Sequence, residues 1–256
     1  MRIHWAQAAL AAAVMALGME GAAVAAPVLI DDFASRSSAF YIIGTPAPPF
    51  FPNAQPVEES GLPTTIGEER DTLVEVLGTP NAQSAQFLLG VNDPSFPSGV
   101  FHLATAGSPA SVATLQYDGD DTDGASLTNA QLLDFAVPAN GWFEIDFLTI
   151  DAPGSVDGLK VDIHLTSIGG GTASYSDFAP ETATPATFVA PLASFTQSVD
   201  FDAAHISSVT FVFNSAGLAD ADFTVDNLRA VPEPAAISLA AVACLAVFAG
   251  LRRKRA

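Results

Sequence analysis

Phe143-Glu144-Ile145-Asp146-Phe147 alternates apolar and acidic residues without a break, and a period of two buries a single face only in a β-strand. Val161-Asp162-Ile163-His164-Leu165 repeats the pattern, Val209-Thr210-Phe211-Val212-Phe213 follows it less strictly, and Phe223-Thr224-Val225-Asp226 adds one more amphipathic strand. Further apolar runs are Val28 to Phe33, Thr72 to Leu77, Ala85 to Leu89, Val100 to Ala104, Ser111 to Tyr117 and Leu132 to Val137. Gly, Pro, Asn and Asp clusters separate them, among them Gly78-Thr79-Pro80-Asn81, Asn92-Asp93-Pro94 and Ala139-Asn140-Gly141. No stretch between them shows a capped helical period, and no repeat of fixed length is present. Many short strands at this spacing predict an all-β fold, an antiparallel β-sandwich of jelly-roll-like type. Thr45 to Pro63 and Gly169 to Pro185 are expected to be long surface loops.

The two ends obey other rules. Arg2, the uncharged apolar run Ala8 to Met19 and the small-x-small exit Ala23-Val24-Ala25 form a secretory signal peptide over residues 1–25. The cut is placed after Ala25, because a cut after Ala26 would leave Pro27 at the first position. Signal peptidase is therefore an expected processing partner. The body then runs from Ala26 to Ala230, a size that suits one β-sandwich domain. Its only basic residues are Arg36, Arg70, Lys160 and Arg229, set against every acidic residue of the chain except Glu20 and Glu233, for a net charge of −22. A surface so acidic repels nucleic acid and anionic lipid headgroups and leaves neutral polymers and divalent cations as partners. The one cysteine, Cys244, lies beyond the body, so packing and not disulfides must hold the sandwich together.

After the body, Val231-Pro232-Glu233-Pro234 leads into Ala235 to Leu251, 17 residues without a charge, and then Arg252-Arg253-Lys254-Arg255. Such a run is near the short limit for a membrane-spanning helix, and the basic tip marks the cytoplasmic side. Pro232 and Pro234 keep the tripeptide out of helix and sheet. Over residues 231–256 the chain resembles the PEP-CTERM sorting domain of Gram-negative bacteria. The resemblance implies a motif at Pro232, Glu233 and Pro234 for a membrane-embedded exosortase, with Arg252, Arg253, Lys254 and Arg255 completing the signal. It also implies transient residence in the inner membrane, removal of the tail, and a mature protein at the cell surface or in an exopolysaccharide matrix.

The body carries none of the common catalytic signatures: no G-x-S-x-G elbow, no H-E-x-x-H and no phosphate-binding glycine loop. His102, His164 and His205 are expected at the surface or in loops, and no catalytic residue is assigned. The acidic stretch Asp118-Gly119-Asp120-Asp121-Thr122-Asp123-Gly124 offers closely spaced oxygens of the kind calcium takes. It lacks EF-hand spacing, and a solvated acidic turn is the plainer reading. Val28 to Phe33 and Asp222-Phe223-Thr224-Val225-Asp226-Asn227-Leu228 also resemble the first and last strands of jelly-roll carbohydrate-binding domains. That resemblance implies a structural calcium near Asp31 or Asp32 with Asp226, and sugar stacking on an exposed aromatic, for which Trp142 is the candidate alongside Tyr117 and Tyr175. The leading expectation is a structural, matrix-associated surface protein; the alternatives are a carbohydrate-binding module that holds exopolysaccharide and, third, a secreted hydrolase.

Overall fold

The computed structural model describes residues 26–35, 41–43, 57–77, 86–91, 98–106, 110–119, 127 and 131–232. The signal peptide, most of the proline-rich segment after Thr45, Asp120, Asp121, Asp123 and the tail from Glu233 onward lie outside them. The body, Pro27–Val231, is a compact unit by itself. Its strands are β1 (Val28–Asp31), β2 (Tyr41–Ile43), β3 (Val57–Ser60), β4 (Glu69–Leu77), β5 (Gln86–Val91), β6 (Phe101–Ala106) and β7 (Ala110–Tyr117). β8 (Trp142–Asp151), β9 (Leu159–Ser167), β10 (Thr172–Ala179), β11 (Ala186–Pro191), β12 (Thr196–Gln197), β13 (Ile206–Phe213) and β14 (Asp222–Val231) follow. The only helical pieces among the described residues are two short 3-10 turns, Ile66–Glu68 and Leu192–Ser194, so the all-β expectation holds.

The strands form two antiparallel sheets. The first runs β11-β8-β14-β6-β5-β2, with β1 also beside β14; the second runs β12-β10-β9-β13-β7-β4-β3. On β14 the edge away from β8 is shared: β6 takes Phe223–Val225 and β1 takes Leu228–Ala230. Successive strands pass repeatedly from one sheet to the other, as in a jelly roll. Phenylalanines fill the space between the sheets. Phe213 of the second sheet meets Phe101, Phe147 and Phe223 of the first at 5.9, 6.1 and 5.1 Å between ring centres, and Phe143 meets Phe211 at 6.4 Å. All six are at most 1% exposed, and burying each contributes about 1.5–3 kcal/mol.

On β14 strict alternation fails and is repaired. Phe223 and Val225 point inward, yet so do Leu228 and Ala230, which have the opposite parity. A bulge between Val225 and Asn227 switches the phase, leaving both Asp226 and Asn227 half-buried at the sheet's rim.

Three stretches depart from expectation. Gly169 to Pro185 is not one long loop: Thr172–Ala179 is β10, paired with β9 along its whole length. Its inward positions include Ala173 and Ala179, and such small residues hide a strand from a hydrophobicity reading. Val57–Ser60, within the expected loop Thr45 to Pro63, is the edge strand β3. Leu132 to Val137 is extended but makes a single ladder bridge, Phe135 to Ile206, and its buried residues Leu133 and Val137 pack on the core.

Candidate functional site

The period of two that buries Val161, Ile163 and Leu165 turns Asp162 and His164 outward from β9. Register then sets their neighbours. Ser174 of β10 lies opposite His164, Ser176 opposite Asp162, and Thr196 of β12 opposite Ser174. With Ser194 and Tyr175 these residues line a groove of about 340 Å³ on the outside of the second sheet. Tyr175 lies opposite the inward Ile163, so its ring turns from the groove toward the core, where it stacks on Phe195 at 5.2 Å and its hydroxyl donates to Asp177 Oδ2 at 2.9 Å. Burial first, then the bond to Asp177 and its charge, push the phenol up to about 12, so Tyr175 stays neutral in ordinary buffers. Lys160 Nζ stands 3.9 Å from Asp162 Oδ1. No hydrogen bond among the described residues joins His164 to Asp162, Ser174 or Ser176. Hydroxyls that donate and accept, one carboxylate and one imidazole make a lining suited to a polyhydroxyl ligand.

The other histidines do different things. His102 is 9% exposed, not a surface residue, and its Nδ1 lies 2.9 Å from Thr224 Oγ1. His205 is exposed, with Nδ1 2.9 Å from Asp134 Oδ1; that bond and then the charge of Asp134 raise its pKa.

Trp142 begins β8 on the outer face of the first sheet, since Phe143 points inward. Its Nε1 donates to Glu144 Oε1 at 2.7 Å. Arg229 bridges Glu144 at 3.0 Å and Asp146 at 2.6 Å, and Thr187 Oγ1 donates to Asp146 Oδ1 at 2.7 Å. Trp142 is thus held in a surface ion-pair network on the sheet opposite the groove and is not among the residues that line it.

Of the carboxylates proposed for calcium, Asp120, Asp121 and Asp123 lie outside the described residues, and Asp32 stands close enough to Asp226 for its charge to raise that group's pKa. Asp31 is fully buried: one oxygen takes Arg70 Nη1 at 2.5 Å and the Tyr117 hydroxyl at 2.9 Å, and the other takes the Phe33 amide at 2.7 Å and Thr65 Oγ1 at 3.3 Å. A carboxylate so occupied is the ion-pair partner of Arg70. Asp226 accepts Asn227 Nδ2 at 2.8 Å. Asp118 is buried, and Gln116 Nε2 donates to its Oδ2 at 2.9 Å. Its described acidic neighbours are Glu69 and Asp71 of β4, one oxygen of each lying within 4.8 Å of the others. Those three could hold a hard cation. They were not legible as a group, because β4 reaches Asp118 only through its pairing with β7.

No protein-family model matches this sequence, and no curated protein matches it. Several solved structures are similar to it. One is the family 11 carbohydrate-binding module of a cellulosomal cellulase of Clostridium thermocellum, with a TM-score of 0.39 and 15% identity over 81% of this chain and 96% of that one. Another is the family 11 module from Clostridium thermocellum in complex with a β-1,3-1,4-mixed-linked tetrasaccharide, with a TM-score of 0.37 and 15% identity over 81% and 97%. A family 29 module complexed with mannohexaose gives a TM-score of 0.33 and 14% identity over 76% and 94%.

Proposed function

We propose that this is an exported surface protein whose sandwich binds carbohydrate through the β9–β10–β12 groove and whose C-terminal segment is a sorting tail. One observation carries the binding reading: the outward faces of three paired strands place serine, threonine, histidine and aspartate side chains along one open groove. The groups on β9 and β10 are held by the ladder on both sides, so their donors and acceptors are preorganised for a ligand rich in hydroxyls. The acidity of the body fits a neutral polymer better than a polyanion. A glycan array probed with the purified protein tests it. Binding to neutral glycans is expected, with loss of at least tenfold in affinity for His164→Ala, whereas a blank array sinks the reading.

The sorting reading rests on the sequence of the tail and on its place in the chain. β14 ends at Val231, and Pro232 follows at once, so no linker separates the last strand from the Pro-Glu-Pro motif. Replacing Pro232, Glu233 and Pro234 together with alanine is expected to leave the tail uncut in the native host. Intact mass of the mature protein reads this directly, and a normally processed end in the triple variant would refute it.

A further inference from the structure

The groove is open at one end and obstructed at the other. β12 is the edge of its sheet, so the groove opens sideways past Thr196. Inward, the row of register partners Thr196, Ser174 and His164 continues through Thr210 to Gln116. His164 is exposed, Thr210 half-buried and Gln116 only 5% exposed. The neighbouring row behaves alike: Ser176 is exposed, Asp162 and Val212 half-buried, and Thr114 8% exposed. Accessibility therefore runs out at β7 in both rows. Along the strands, Lys160 and its partner Phe178 stand beyond Asp162 and Ser176 at one end. From β12 to β9 is two inter-strand spacings, about 10 Å. The volume, about 340 Å³, sits at the small end of the roughly 300–1,000 Å³ usual for ligand sites.

We infer that the groove takes the end of a neutral glycan, its terminal one or two sugar units, entering from the β12 edge, and not the middle of a polymer. The inference rests on the carbohydrate-binding reading. A polymer running across the strands would have to continue over β7, where the outward side chains are already covered. A uronic-acid chain would bring its charge to Asp162 and to a body of net charge −22. The sugar hydroxyls would exchange bonds with Ser174, Ser176, Thr196 and His164, and no covalent step is involved.

Calorimetric titration of the full-length protein with gluco-, manno- and galacto-oligosaccharides of two, four and six units, and with oligogalacturonates, tests the inference. The best neutral series is expected to change less than about threefold in affinity from two to six units. Limited hydrolysis of the matching polysaccharide, which multiplies chain ends at constant mass, should raise the number of sites in proportion. Ser174→Trp, which fills the groove, should abolish binding, while Trp142→Ala should leave it unchanged, with thermal melts confirming that both variants are folded. Affinity that climbs tenfold or more with length, capacity indifferent to hydrolysis, equal binding of oligogalacturonate, or binding that survives Ser174→Trp would each overturn it. Binding of no oligosaccharide by the unmodified protein would remove the carbohydrate reading itself, and the inference with it.

Discussion

The surroundings of Asp226 disfavour its charged form. Burial at the β14 bulge and the charges of Asp146 and Asp32 raise its pKa, with Arg229 opposing. A carboxyl raised in the folded state favours folding most below its unfolded pKa, and that contribution is lost as pH rises through the folded value. Above the folded value the charge is therefore a net cost. Asp226→Asn keeps an acceptor for Asn227 and is expected to raise the thermal midpoint at pH 7 by about 1–2 °C, with no difference from the unmodified protein at pH 3. A midpoint lowered at pH 7 would show that the carboxylate is held favourably. Phe33 is a second position where surroundings override intrinsic preference. It adopts φ 53°, uncommon for so bulky a residue. Asp31 holds its amide, its ring stacks on Phe101 at 5.8 Å, and the Arg70 guanidinium lies 5.6 Å over it.

Arg70 belongs as much to the elements as to itself. It is fully buried and joins Asp31 of β1 to Glu59 of β3, each at 2.5 Å, while the Tyr117 hydroxyl from β7 donates to Asp31 as well. One cluster thus ties the first sheet, through β1, to three strands of the second. Arg70→Met leaves two buried carboxylates without their cation and is expected to cost about 3–5 kcal/mol in denaturant unfolding. Adding Asp31→Asn and Glu59→Gln removes the stranded charges and should recover part of that loss; a single variant as stable as the unmodified protein would refute the account. At this scale the sequence was legible where inward residues are large. β8, β9 and β13 follow from their Phe, Ile and Val positions, whereas β10, which forms one wall of the groove, carries Ala173 and Ala179 inward and serines outward. Its strand character comes from pairing with β9. Three of the seven residues that line the groove, Ser174, Tyr175 and Ser176, were hidden for that reason.

The sandwich closes only when its last strand arrives. β14 is central in the first sheet, paired with β8 along one edge and with β6 and β1 along the other. A chain ending at Ala221 would lose Phe223, Val225, Leu228 and Ala230 from the core and expose the edge of β8. It is expected to show no cooperative thermal transition by circular dichroism; a sharp transition would mean that the remaining strands can close without β14. Pairings this distant in sequence also predict slow folding. By itself the sequence determined the all-β class, the inward face of each strongly alternating strand and the acidity of the body, since all three follow from residues counted or read within a few positions. Only the tertiary structure decided that Asp31 serves Arg70, that Trp142 and the groove lie on opposite sheets, and that Ser174, His164 and Thr196 share one row. The physical reason is that alternation assigns each side chain to one of two faces, while hydrogen-bonded register between distant strands chooses its neighbours on that face.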